Sequence, residues 1–179
     1  MNFEKLVAAR RSYRTFGSGD LEAWQVESIV RAALISPTSR NNRSWHFVLV
    51  DDKTDLAKLS DVKERGSAFV SQAALAVVVT GNPDRNNCWV EDGSIAAYAM
   101  QLQAEDLGLA SCWVQVRGRR LSDGTLSADV VRGILSIPDD EEVLCVIAIG
   151  HKDKQLPPHD DDSLKWENVH IGHMSDKDF

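Results

Sequence analysis

The chain has 179 residues, 43% of them hydrophobic, a length and apolar content suited to one domain (1–179) with a single core. Lys and Arg number 20 against 27 Asp and Glu, and the net charge of -7 argues against nucleic-acid or membrane-surface binding by the whole molecule. Residues 1–46 nevertheless hold seven basic and four acidic side chains, a local +3, so any small bound anion is expected there.

In chain order, Asn2 is placed to cap a first helix running to about Arg11, with Phe3, Leu6 and Val7 on its buried face. At its exit come Arg10, Arg11, Ser12 and Arg14. Arginine forks and a serine hydroxyl suit phosphate oxygens; cations that merely favour the dipole at a helix end are the competing reading. "FGSGD" (16–20) reads as a turn closing on Asp20, the expected N-cap of a helix over 21–35 that Pro37 terminates. The loop "SPTSRNNRSWHF" (36–47) gathers Thr38, Ser39, Asn41, Asn42 and Arg43. Such side chains either line a ligand pocket at a strand edge or simply form a turn.

"WHFVLV" (45–50) is nearly all apolar, as for a strand covered on both faces. A short surface helix (55–62) and a second buried strand (74–81) follow. The alanine-rich stretch 92–109 predicts a long, closely packed helix ended by a left-handed Gly108. A strand (111–116), a helix near 126–135 and a fourth buried strand (143–151) complete an α/β or α+β sandwich around one sheet. The arm, 152–179, shows little periodicity, yet Leu164, Trp166, Val169 and Ile171 argue that it docks on something, with a partner subunit the natural candidate.

Cys88, Cys112 and Cys145 are widely spaced and odd in number, as expected of reduced thiols rather than a disulfide frame or zinc site. The absence of a signal-like apolar run, and of the roughly 20 apolar residues that span a bilayer, predicts a cytoplasmic protein with no membrane partner. His170, His173 and "HDDD" (159–162) read as solvated surface, so no metal is expected. Neither Ser12 nor Ser39 sits in a GxSxG elbow, and there is no dinucleotide or Walker pattern. An enzyme of this sequence would take its reactivity from a bound cofactor.

Four segments in register, "RRSYRTF" (10–16), "SPTSRNNRSWHFVLV" (36–50), "DGSIAAYAMQLQAEDLGLASCWVQV" (92–116) and "VIAIGHK" (146–152), resemble the FMN-dependent nitroreductase family over roughly residues 3–152. The resemblance implies an α+β three-layer sandwich, with a central mixed or antiparallel sheet of four core strands flanked by helices. It also implies a homodimer with FMN at the interface and an exchanged C-terminal arm. It places the FMN phosphate and ribityl chain on Arg10, Arg11, Ser12 and Arg14, and the opposite subunit's flavin against Pro37, Thr38, Ser39 and Asn41. Trp113, Val114 and Gln115 would pass the reactive edge of the ring, and Gly150, His151 and Lys152 would stand nearest the late phosphate contacts. Larger members often carry Glu-Gly where this chain has Gln115-Val116, so one negative charge near the flavin is missing, which favours the reduced ring. The implied chemistry is ping-pong hydride transfer from NADH or NADPH through flavin N5 to a small electron-poor acceptor of the nitroaromatic or quinone type. A flavin-storing protein with little turnover and a flavin-free anion-binding domain are the rival readings.

Overall fold

The computed structural model describes residues 2–173. Its elements in chain order are α1 (Phe3–Ala9), β1 (Phe16–Gly17), α2 (Ala23–Leu34), β2 (Trp45–Val50), α3 (Lys53–Ser60), β3 (Leu75–Gly81), α4 (Trp89–Asp106), β4 (Leu109–Gln115), α5 (Ser127–Leu135) and β5 (Glu142–Lys152). β5 is the spine of an antiparallel sheet: β3 pairs along one side of it, β4 along the other, and β2 lies outside β3. The two-residue β1 continues the β3 side at the end of β5, where His151 pairs with both Gly17 and Leu109.

The period of two along the strands divides the core into two layers. Leu75, Val77, Val79, Ile147 and Ile149 face α2 and α4, where Ile29, Ala33, Ala96, Ala97, Met100 and Ala104 pack on them. Ala76, Val78, Val146 and Ala148 face the other way, onto Leu56, Leu59, Val70 and Val131 of α3, α5 and the turn before β3. A register shift opposite Val79 and Thr80 turns both Leu144 and Cys145 toward the α2–α4 layer. The result is the α+β three-layer sandwich expected from the sequence, with all sheet pairs antiparallel. Cys112 and Cys145 are buried free thiols and Cys88 is half-buried and free.

Several local expectations change. α1 stops at Ala9 and fully buries none of its residues: Phe3 is 71% exposed, while Leu6 and Val7 are half-buried. Asp20 is not the N-cap; that role falls two residues on to Glu22, which forms a reciprocal capping box with Gln25, and "FG" of the predicted turn pairs as β1. β2 packs on both layers as expected, Trp45 and Phe47 on one and Val48 and Val50 on the other, but it is an open edge, with Leu49 42% exposed. Gly108 does end α4 in the left-handed region, at φ +75°, its N–H donating to Glu105 O. No helix among the described residues is long and apolar enough to cross a membrane.

Candidate cofactor site

Because α1 ends with Arg10 in extended conformation (φ -62°, ψ 123°), the next residues run alongside the outer edge of β4. Ser12 bridges Ser111 in parallel, and the Tyr13 N–H donates to Ser111 O at 3.0 Å. Extended backbone alternates its side chains. Arg11 and Tyr13 turn to the root of the C-terminal arm: Arg11 Nη1 donates to Pro157 O at 2.5 Å, and Tyr13 Oη accepts the Leu156 N–H at 3.4 Å. Arg10 and Arg14 instead come within electrostatic range of the Cys112 thiol. Lys63, from the segment after α3, joins that cluster, and Arg119, after β4, stands in range of Lys63.

None of Arg10, Arg14, Lys63 and Arg119 has a carboxylate within ion-pair distance among the described residues. Burial, then Arg119 and Arg14, lowers the Lys63 pKa below the usual lysine value, as expected of cations crowded without a counter-charge. Burial pushes the Cys112 thiol up, with Arg14, Lys63 and Arg10 opposing it. Like charges so arranged favour an anion. The sequence pointed to Arg10, Ser12 and Arg14; Lys63 and Arg119 lie far off in sequence in segments without a motif and were not foreseen.

The second predicted segment is held under strain. Arg40, Asn41 and Arg43 all have φ between 53° and 55°, in the left-handed region that costs a residue with a Cβ about 1–2 kcal/mol. The opposing ties are hydrogen bonds. Ser39 N–H donates to Asp92 Oδ1 and Oδ2 at 2.9 and 3.1 Å, Arg43 N–H to Thr38 Oγ1 at 3.1 Å, and Asn42 Nδ2 to Arg85 O at 2.9 Å. Asn41 Oδ1 accepts from Arg43 Nε at 2.9 Å. Bonds to a charged group are worth roughly 1.5–3 kcal/mol each, enough to hold such a loop, and non-glycine strain of this kind gathers at ligand sites. Just beyond, the buried Ser44 Oγ and Trp45 Nε1 have no hydrogen-bond partner among the described residues. Pro37 stands exposed at the loop's start.

On β4, Val114 is fully buried, while Trp113 Nε1 donates to Gln115 Oε1 at 2.9 Å and Gln115 Nε2 to Arg117 O at 2.8 Å. Arg117 stacks over Trp89, 5.7 Å from the ring centroid. The residues at the end of β5 are engaged within the chain. Lys152 Nζ is 2.7 Å from Glu105 Oε1, with both side chains largely buried, so its charge is already matched. His151 Nε2 lies 3.0 Å from Asp20 O, and Gly150 forms the floor under Phe16, where a Cβ would sit 3.0–3.2 Å from that side chain. Arg11, engaged by Pro157 O, is likewise occupied. Within one copy, no hydrogen bond or ion pair among the described residues links the Thr38–Arg43 loop to the Arg10–Arg14 segment. No group of three or more metal-ligating side chains forms among them either.

Fold and site together define an α+β protein with a strained polar loop and a cationic edge that has no acid partner among the described residues, a pairing suited to a phosphorylated ligand. Residues 7–79 and 61–151 match the model of the Nitroreductase family. A protein of Archaeoglobus fulgidus with the provisional name NADH dehydrogenase/NAD(P)H nitroreductase is 30% identical over 171 residues, 93% of this chain and 95% of its own. An FMN-dependent nitroreductase of Clostridium difficile R20291 is 37% identical and superposes with a TM-score of 0.92, over 94% of this chain and 98% of its own. An NADPH:FMN oxidoreductase of Vibrio harveyi, solved with NAD+, shares the fold at 22% identity and a TM-score of 0.81, over 96% of this chain and 77% of its own. The chain belongs to the Nitroreductase family.

Proposed function

We propose that this chain is an FMN-dependent oxidoreductase that draws on NADH or NADPH to reduce a small electron-poor acceptor, working as a homodimer with a cofactor at each of two interface sites. The observation that carries it is the set of cations around Arg10, Ser12 and Arg14, without an acid partner among the described residues, which fits a phosphate monoester. The names of the Clostridium difficile and Archaeoglobus fulgidus relatives, an FMN-dependent nitroreductase and an NADH dehydrogenase/NAD(P)H nitroreductase, support the same cofactor and donor.

FMN, when bound, supplies the redox chemistry, hydride entering from NAD(P)H and leaving to a nitroaromatic or quinone-type acceptor in ping-pong order. The chain's own part is binding and placement. Arg10, Ser12 and Arg14 hold the phosphate, with Lys63 and Arg119 adding positive potential. Pro37, Thr38, Ser39 and Asn41 meet the cofactor of the other subunit, and the orphaned Ser44 and Trp45 polar groups leave hydrogen-bonding capacity beside them. Trp113, Val114 and Gln115 form the wall beside the ring. Gln115 brings no negative charge there, and the neighbouring Arg117 favours anionic character. Arg11, Gly150, His151 and Lys152 frame the site through their contacts with Pro157, Phe16, Asp20 and Glu105.

Helix α4 supports the dimer. Its buried side carries Ala96, Ala97, Met100 and Ala104, yet Ile95, Tyr98, Ala99 and Leu102, at i, i+3, i+4 and i+7, make a second apolar stripe on the outer side. With Phe3, Leu6 and Ile35, part of this stripe lines a groove of about 400 Å³ between α1, α2 and α4. An apolar helix face and an open β2 edge both call for cover. A second copy supplies it, including the arm residues Leu164, Trp166, Val169 and Ile171, all 45% exposed or more. The protein is placed in the cytoplasm as a single domain with residues 152–179 as its arm.

The test is the visible spectrum of purified protein before and after incubation with FMN, followed by NAD(P)H oxidation with a quinone and a nitroaromatic. A flavin band with acceptor-dependent oxidation is expected. Flavin without turnover would mark a flavin-storing protein, and failure to take up FMN would overturn the proposal.

A further inference from the structure

We propose that Asp92 is a positioning residue for the cofactor loop, acting through the Ser39 amide and the Asn86 side chain and not by touching the cofactor. The inference rests on the proposed contact between Pro37–Asn41 and FMN.

Asp92 lies near the start of α4 and is only 4% exposed, an unusual place for a carboxylate. An ionised carboxylate accepts and never donates, and here donors from two segments converge on it. The Ser39 N–H reaches its two oxygens at 2.9 and 3.1 Å, and Asn86 Nδ2 reaches Oδ2 at 2.7 Å. The Asn86 amide cannot be turned round, because its Oδ1 already accepts the Cys88 N–H at 2.9 Å. Asn86 is itself fixed to the helix start: its N–H donates to Asn82 O at 3.1 Å, and its carbonyl accepts the Trp89 N–H at 3.2 Å. The node therefore ties the loop to the rigid end of a long helix.

The other ties of the loop, Thr38 to Arg43, Asn41 to Arg43 and Asn42 to Arg85, are exposed and compete with water. The Asp92 contacts are the sheltered ones. Three left-handed residues without a glycine among them persist because one end of the loop cannot leave this carboxylate. An amide at position 92 has the same shape but presents an NH2 where an acceptor is needed, so it faces either the Ser39 N–H or the Asn86 NH2 as donor against donor. Converting Asn86 to Asp at the same time restores an acceptor for that NH2 and still accepts from Cys88.

The experiment measures dissociation constants for FMN and riboflavin on the native chain, on Asp92→Asn and on the exchanged pair Asn86→Asp/Asp92→Asn, with hydrogen exchange of the 36–44 segment. Asp92→Asn is expected to weaken both ligands about tenfold while leaving their ratio unchanged, because the phosphate cluster is untouched, and to speed exchange in the loop. The exchanged pair is expected to regain native affinity and protection. Native affinity in Asp92→Asn, or no recovery in the exchanged pair, overturns the proposal while the functional assignment stands. A native chain that takes up no FMN overturns both. Should Asp92→Asn fail to fold, Asn86→Ala removes the second donor to Asp92 without changing a loop residue; it is expected to weaken both ligands equally and to speed exchange in the loop, and unchanged affinity overturns the proposal.

Discussion

A charge's partners decide what it is free to do, and Arg10, Arg14 and Lys152 separate on that criterion. Arg10 and Arg14 have no acid partner among the described residues, whereas Lys152 pairs with Glu105 at 2.7 Å in a largely buried setting. Replacing Arg10 and Arg14 by alanine removes charge-assisted bonds worth roughly 1.5–3 kcal/mol each, so FMN affinity is expected to fall at least about tenfold in a fluorescence titration. Unchanged affinity would put the phosphate elsewhere. Glu105→Ala leaves a buried ammonium uncompensated and is expected to cost about 3–5 kcal/mol in urea unfolding, whereas Glu105→Leu with Lys152→Met is expected to be near neutral. Equal losses in the two variants would contradict that account of the pair. The Arg-Arg-Ser-x-Arg run stands out in the sequence as a group of cations at a helix exit, and only the family resemblance gives it a phosphate to bind. The Lys152–Glu105 pairing was not legible, because nothing in "GHKDK" points to an acid on a helix 47 residues away.

Strands and helices were legible where burial is uniform. β3, all seven residues of it buried, and the long α4 were expected within a few residues of their observed ends. The edge position of β2 is not readable from its apolar run, because Trp45 and Phe47 pack on one layer and Val48 and Val50 on the other just as in a central strand, while one edge stays unpaired. Such a run reports a need for cover without saying whether the cover comes from the same chain. β1 was missed because two residues have no periodicity; it exists because Phe16 sits on Gly150 of β5. A Cβ at 150 would press on Phe16 Cβ, Cγ and Cδ1 at 3.0–3.2 Å, and β1 cannot retreat without breaking its pairing. Gly150→Ala is therefore expected to destabilise by about 1–3 kcal/mol, the usual cost of overpacking, measured by urea midpoint. A gain in stability would show that the lost glycine entropy outweighs the clash. The left-handed loop was illegible as strain, since Arg40, Asn41 and Arg43 carry no glycine signature.

For the whole molecule, the second apolar stripe of α4 makes assembly the central expectation. Ile95→Asp with Tyr98→Asp puts two charges on that face while sparing the buried side. Native protein is expected to sediment as a dimer, and this variant as a folded monomer with little FMN bound, because each proposed site draws its loop from the other copy. A native monomer that binds FMN would refute the shared site.

The arm is anchored at its root by the same short segment that carries Arg10 and Arg14 of the proposed phosphate site. Arg11 and Tyr13 grip Pro157 and Leu156, and the Ala8 carbonyl accepts the His159 N–H at 2.8 Å, while Arg10 and Arg14 stand on the opposite side of the same backbone. Two equilibria then share one structural element, and thermodynamic linkage makes each respond to the other. Cofactor uptake should tighten subunit pairing, and pairing should tighten uptake by the same factor. Apparent FMN affinity should accordingly rise with protein concentration across the range in which dimers assemble, and cutting the chain after Leu156 should flatten that dependence.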